Sequence, residues 1–260
     1  MAGEGWRARV GVIKATYRPK NFRYWYDTAP DGVEIVPASL GFRKGEKRGF
    51  LDSFARGEEL AHALVEAGCD LVIVHGAPPF ILQGRAWEAE WRQKVQADLG
   101  VPFLTAMQPH AWALKALGVK RLLAHTYYND ELNDGIARYF AEEGLDTVMA
   151  GGLRAADHDE ELYSTPLKAL DDVDAGDFYR YARNAHARLG ADAASIDCLY
   201  VNGSGWDAGP AVEPLEADLG RPVLWPQAMY VWAVYRTLGI DARRSGFGSL
   251  LERWPELPAA

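Results

Sequence analysis

Four apolar runs in this chain stop on polar, mostly titratable residues. Val10-Gly11-Val12-Ile13 ends at Lys14, Leu71-Val72-Ile73-Val74 at His75, Leu122-Leu123-Ala124 at His125-Thr126, and Leu199-Tyr200-Val201 at Asn202. Ligands of an open parallel sheet bind beyond the carboxyl ends of its strands, so these positions are where chemistry belongs. Imidazole, with a pKa near ~6.5, suits proton transfer at neutral pH. A lysine whose pKa is lowered by partial burial serves as base or carboxylate anchor. Singly, each residue is explained equally well as a helix cap or a loop hydrogen bond. Four of them at one rim argue for a site.

The turns after two of these runs are glycine-led: Gly76-Ala77-Pro78-Pro79-Phe80 and Gly203-Ser204-Gly205-Trp206. Glycine there lets backbone approach a ligand, and free N–H groups hold a carboxylate. The two prolines leave the first loop fewer donors than the second. Neither turn matches a dinucleotide or Walker phosphate loop. After the first run, residues 14–26 combine four cations with five aromatics in an otherwise acidic chain. Within that stretch Thr16, Tyr17 and Arg18 are candidate substrate contacts, Arg18 by a forked grip on a carboxylate and Tyr17 by its hydroxyl. The bland reading is a solvated loop with aromatics packed on the lobe. No metal or other cofactor is implied. The histidines (His62, His75, His110, His125, His158, His186) have no pair at ligand spacing on a helix, and neither Cys69 nor Cys198 has a partner at zinc spacing.

The elements that must position these residues alternate. Candidate strands are Arg9–Lys14, Val33–Pro37, Leu71–His75, Pro102–Thr105, Arg121–Thr126, Thr147–Ala150, Cys198–Asn202 and Pro222–Trp225, with amphipathic stretches between them. In one stretch Asn129 caps, Asp130 and Glu131 suit the helix dipole, and Leu132, Ile136 and Phe140 recur every four residues. Apolar, β-branched strands alternating with helices specify an α/β fold with mostly parallel sheets covered on both faces.

The chain also repeats itself. Ala97-Asp98-Leu99-Gly100-Val101-Pro102-Phe103-Leu104 matches Ala217-Asp218-Leu219-Gly220-Arg221-Pro222-Val223-Leu224, and Trp112-Ala113 and Trp232-Ala233 follow at the same offset of 120. Asp70-Leu71-Val72-Ile73-Val74-His75-Gly76 likewise parallels Asp197-Cys198-Leu199-Tyr200-Val201-Asn202-Gly203. Two similar lobes related by a pseudo-twofold axis follow, with residues 1–109 plus 226–260 in the first and 110–225 in the second. No linker rich in Pro, Gly or Ser parts them, so the lobes are expected to be tightly joined.

With 28 Lys plus Arg against 36 Asp plus Glu, the net charge is −8 over 260 residues. An acidic chain without a basic run is a poor partner for nucleic acid or anionic membranes, which leaves small molecules. The amino terminus lacks a signal-peptide pattern, no apolar run approaches a membrane span, and both cysteines begin apolar runs as buried thiols do. The cytoplasm is the expected compartment, and a homo-oligomer is allowed.

Gly68-Cys69-Asp70-Leu71-Val72-Ile73, Ala116-Leu117-Gly118-Val119-Lys120-Arg121, Thr126-Tyr127-Tyr128-Asn129-Asp130-Glu131-Leu132-Asn133, Pro226-Gln227-Ala228 and Gly246-Phe247-Gly248-Ser249-Leu250-Leu251 run over nearly the whole chain. In that order they resemble the aspartate/glutamate racemase superfamily, and within it the arylmalonate decarboxylase and maleate cis-trans isomerase branch. The resemblance implies two flavodoxin-like lobes, no cofactor, and a small carboxylic acid held in the cleft between them. It also implies a catalytic cysteine position in each lobe, the decarboxylase keeping only the second. Those positions here are Gly76 and Gly203, so both thiols are absent, and Cys198 lies five residues too early to replace the second. The Thr-Ser that follows the first position in the decarboxylases is Ala77-Pro78, and the isomerases' Asn after the first strand aligns with Arg18. Tyr128 keeps the family's tyrosine, and the backbone N–H of Ser204 is retained.

Thiol-based racemisation has no low-pKa group left at those glycines. Proton handling would fall to His75, His125 or Lys14. Arg18, Tyr128 and the Ser204 N–H would hold the carboxylate, beside Thr16, Tyr17, Gly76, Ala77, Asn202 and Gly203. The expected activity is a cofactor-independent lyase, decarboxylating or eliminating through an enolate-like intermediate. The alternatives are an isomerase or racemase using non-cysteine groups, and a carboxylate-binding relative without catalysis. Hydrolysis through Ser204 fits only part of a nucleophile-elbow pattern.

Overall fold

The computed structural model describes residues 5–16, 20–42, 47–150, 174–203 and 207–259. Its first sheet contains β1 (Ala8–Lys14), β2 (Val33–Ser39), β3 (Leu71–Val74) and β4 (Phe103–Leu104). The second contains β5 (Arg121–His125), β6 (Asp146–Met149), β7 (Cys198–Val201) and β8 (Val223–Leu224). All pairings are parallel and the strand orders are equivalent, 2-1-3-4 and 6-5-7-8. Each strand coincides, within a few residues, with an apolar run visible in the sequence.

Helices α1 (Lys20–Thr28), α2 (Lys47–Glu66), α3 (Ala77–Gln83) and α4 (Arg85–Leu99) surround the first sheet, and α5 (Gln108–Ala116) leads to the second. Then come α6 (Asp130–Ala141), α7 (Ala175–Arg188), α8 (Val212–Leu219), α9 (Pro226–Thr237) and α10 (Ser249–Arg253). Helix α6 begins where its sequence signals place it: the Asn129 side chain accepts from the Leu132 N–H at 3.0 Å. Helix α9 is buried along nearly its whole length and packs on α5 and α1, which binds the end of the second repeat to the first lobe.

Strand periodicity decides what each lobe shows the other. In β5 and β7, Leu122, Ala124, Cys198 and Tyr200 belong to a core that continues through the first lobe and α9. Leu123, Leu199 and Val201 belong to a separate core behind the second sheet, with Phe178, Ala182 and Ala185 of α7 and Leu215 of α8. The first core is shared by the lobes, while the buried residues of the second come from one lobe, with Tyr24 of α1 packed against them.

A close helix crossing clamps the shared side. A Cβ added to Gly135 of α6 would lie 2.4 Å from Ile81 Cγ2 of α3. Nearby, the Tyr139 hydroxyl donates to Glu88 Oε2 at 2.6 Å, and Glu143 accepts from both Arg85 and Lys115. Alanine is ordinarily the better helix former by roughly 1 kcal/mol. Gly135→Ala is nevertheless expected to destabilise by about 1–3 kcal/mol, because an overpacked helix contact must open. Denaturant unfolding of the single mutant and of Gly135→Ala/Ile81→Ala checks this. The double mutant should show a favourable coupling, and strict additivity would reject the clash.

Candidate active site

Lys14 closes β1 and is only 1% exposed. Its Nζ stands 3.2 Å from His75 Nδ1, at the end of the adjacent strand β3. Because the amine supplies hydrogens, Nδ1 is assigned as acceptor and the His75 proton lies on Nε2. That nitrogen is buried and finds no hydrogen-bond partner among the described residues. Phe22 stands with its ring centroid 5.6 Å from the amine, while Trp25 and Tyr230 pack on His75 at 5.7 and 4.1 Å between centroids. Burial pushes the Lys14 pKa down to about 7. His75 falls well below the usual imidazole value through burial first, then the Lys14 and His110 charges.

From His75 a line of buried polar rings crosses to the second lobe. Tyr230 of α9 packs on His110 of α5 at 5.1 Å. His110 Nδ1 meets the Tyr200 hydroxyl of β7 at 2.8 Å, and that hydroxyl accepts from Asn202 Nδ2 at 2.6 Å. Asn202 Oδ1 accepts from the Tyr128 hydroxyl at 3.3 Å. Burial drives His110 down to about 3, while the Tyr128 and Tyr200 phenols rise well above their usual range for the same reason. At neutral pH the line therefore holds neutral imidazoles and protonated phenols, fit for donating hydrogen bonds to an oxyanion.

Local structure fixes these groups. Thr126 Oγ1 donates to Asn133 Oδ1 at 2.6 Å and accepts from the Tyr128 N–H at 3.2 Å, and Asn133 Nδ2 donates to the Tyr128 carbonyl at 3.1 Å. Glu88, buried and with its pKa raised by that burial, accepts from the Met107 N–H at 3.0 Å just before α5, which carries His110.

His125 is not part of this line. It shares the parity of Leu123, its Nδ1 donates to the Leu123 carbonyl at 3.1 Å, and its ring packs on Phe178 and Tyr181 of α7. The expectation that His125 joins Lys14 and His75 in one pocket is thereby corrected: an odd step along β5 sends the side chain into the second lobe's own core. Gly203 and Asn202 close the second lobe's strand β7, as expected. Gly76 and Gly203 share a positive φ, 111° and 112°, where a side chain is strained. A Cβ on Gly203 would also fall 2.2 Å from the Tyr127 ring, so Tyr127 occupies the space a thiol would need there. Ala77 is buried as the first residue of α3, with Pro78 and Pro79 behind it, and Thr16 sits half-buried at the bend after β1. Tyr17, Arg18, Ser204 and His158 lie outside the described residues.

Sequence reasoning missed Trp25, His110, Tyr200 and Tyr230. The repeat contains a signal for two of them. His110 and Tyr230 are separated by the same offset of 120, each two residues before a Trp-Ala pair, and they meet where α5 packs on α9. Among the described residues no three His, Cys, Asp or Glu side chains are grouped to hold a metal ion. No helix among them is long and apolar enough to cross a membrane.

Two parallel sheets of equivalent order, with flanking helices and a polar cluster shared between them, define an α/β protein with its candidate site at that cluster. The family model for arylmalonate decarboxylase matches residues 27–251, and the chain belongs to that family. It is 27% identical to arylmalonate decarboxylase of Bordetella bronchiseptica over 229 residues, covering 85% of this chain and 90% of that protein. In structure it resembles a liganded arylmalonate decarboxylase double mutant in which a glycine became cysteine and a cysteine became serine. The TM-score is 0.80 at 21% identity, over 95% of this chain and 99% of that one. It also resembles a Nocardia farcinica maleate cis-trans isomerase carrying a covalent succinylcysteine intermediate, with a TM-score of 0.79 at 18% identity, over 95% and 98% of the two chains.

Desolvating the Lys14 amine costs stability that its hydrogen bond to His75 only partly returns, so Lys14→Met is expected to raise stability by about 1–4 kcal/mol near neutral pH. The unfolded chain keeps the lysine proton up to 10.5 and the folded chain releases it near 7, so wild-type stability rises with pH across that window. The advantage of Lys14→Met should accordingly shrink between those values. Chemical denaturation across this range checks it, and a pH-independent difference would contradict the buried-amine assignment.

Proposed function

We propose that this chain is a cofactor-independent lyase that removes carbon dioxide from, or eliminates across, a small carboxylic or dicarboxylic acid through an enolate-like intermediate. Family membership supports the coarser reading, a decarboxylase or isomerase of small carboxylic acids. The observation that favours a lyase is a one-sided arrangement of proton-handling groups among the described residues. Lys14 and His75 end strands of the first sheet, while the second sheet offers Asn202 and Gly203, with His125 turned into the α7 packing. Racemisation removes a proton on one side and returns one on the other. Decarboxylation needs a single delivery.

In this reading the bond to the departing carboxylate breaks and its electron pair passes to the α-carbon, shared with the oxygen of the remaining acyl group. The Tyr128 phenol, protonated because burial raises its pKa, turns its one hydrogen from Asn202 Oδ1 to that oxygen when substrate is bound. The Lys14–His75 side supplies the one proton that carbon takes up. The neighbouring Tyr200–Asn202 bond holds the Asn202 amide, and through it the Tyr128 hydroxyl, in place.

Carbon dioxide release from a panel of malonate-type diacids and 3-oxo acids tests the assignment. His75→Ala is expected to lower kcat by roughly 100- to 10,000-fold with KM little changed. His125→Phe should alter the thermal midpoint and leave kcat near wild type. Full turnover by His75→Ala, or equal losses in both variants, would remove the proposed reaction centre.

A further inference from the structure

Resting on the decarboxylase reading, we infer that the Lys14 amine is itself a nucleophile that forms an imine with a 3-oxo carboxylic acid, held for attack by His75 within walls of Phe22, Trp25 and Tyr230. The two strand ends place Nζ against His75 Nδ1 at 3.2 Å, so the imidazole takes one amine hydrogen and fixes the direction of the nitrogen lone pair. The aromatic surroundings favour an uncharged amine, and burial brings Lys14 to about 7. Among the described residues, the titratable groups on the facing elements include His75 of β3, Tyr230 of α9 and, one ring further, His110 of α5. The chain's thiols give no competing nucleophile: Cys69 and Cys198 are buried and free, burial pushes Cys69 up to about 11, and Cys198 is driven higher still.

An imine requires a ketone, and decarboxylation through it requires the carboxylate one carbon away from that ketone. The substrate class is therefore a 3-oxo acid. Lys14 adds to the carbonyl carbon, and the carbonyl oxygen leaves as water with one amine hydrogen and one solvent proton. The bond to the carboxylate then breaks, its electron pair moves into the iminium, and carbon dioxide departs from an enamine. The enamine takes a proton at carbon from the His75 side, replenished from solvent, and water hydrolyses the resulting iminium to release ketone and Lys14. One proton is consumed in all.

The test is borohydride trapping during turnover of 3-oxo acids (acetoacetate, benzoylacetate, 3-oxopentanedioate), read by intact mass and peptide mapping. The expected adduct weighs the product ketone less one oxygen and maps to Lys14. It should be absent from Lys14→Met and Lys14→Arg, and both variants should lose turnover while melting cooperatively. Because the free amine attacks, kcat/KM should rise with pH through about 7. Turnover of 3-oxo acids without a Lys14 adduct, or a rate that falls through that pH range, would overturn the imine and leave the decarboxylase reading intact. Turnover confined to malonate-type diacids would do the same. No turnover and no trapping with either acid class would overturn both.

Discussion

A lysine amine enclosed by aromatic rings, with one imidazole nitrogen against it, is the constraint around which the rest of the molecule is arranged. Removing an ammonium from water is costly, and the folded protein reduces the cost by letting the proton go. The same burial keeps His75 and His110 neutral and the tyrosine phenols protonated. One physical cause, desolvation, thus sets every protonation state along the line from Lys14 to Tyr128. The cluster carries an amine whose pKa is lowered to about 7 beside neutral imidazoles and phenolic donors.

The fold supplies this enclosure through its repeat. Each sheet ends its two central strands toward the junction, and α5 and α9, equivalent helices of the two units, pack on one another there. His110 and Tyr230 come from equivalent positions on those helices and carry the polar line across the shared core. The Glu88–Tyr139 bond and the crossing at Gly135 hold α4, α6 and α3 together behind it. Specialisation lies in what differs between the halves: Lys14 and His75 on one side, Asn202 and Gly203 on the other.

All eight strands were legible as short apolar runs, and the start of α6 was legible from Asn129, Asp130 and Glu131, because those signals act within a few residues. The meeting of Lys14 and His75 was legible to the extent that both are polar residues closing buried strands, which the sheet pairs side by side. His125 misled for a reason of the same kind. Both faces of β5 are apolar, so Leu122-Leu123-Ala124 does not reveal which side looks toward the other lobe, and a single residue of parity separates the site from the α7 core. Trp25, Tyr200 and Tyr230 resemble ordinary core aromatics, and only the tertiary pairing of α1, α9 and β7 turns them into walls and donors.

The account stands or falls on the charge state of one side chain. Selective labelling of the lysine ε-carbons, with NMR titration of wild type and Lys14→Met, reads it directly. The expected result is one resonance that titrates near pH 7, well below the remaining lysines, and that is missing from the mutant spectrum. A Lys14 signal titrating with the exposed lysines, near their usual ~10.4, would mean that the amine is charged and solvated, and the chemistry assigned to it would have no basis.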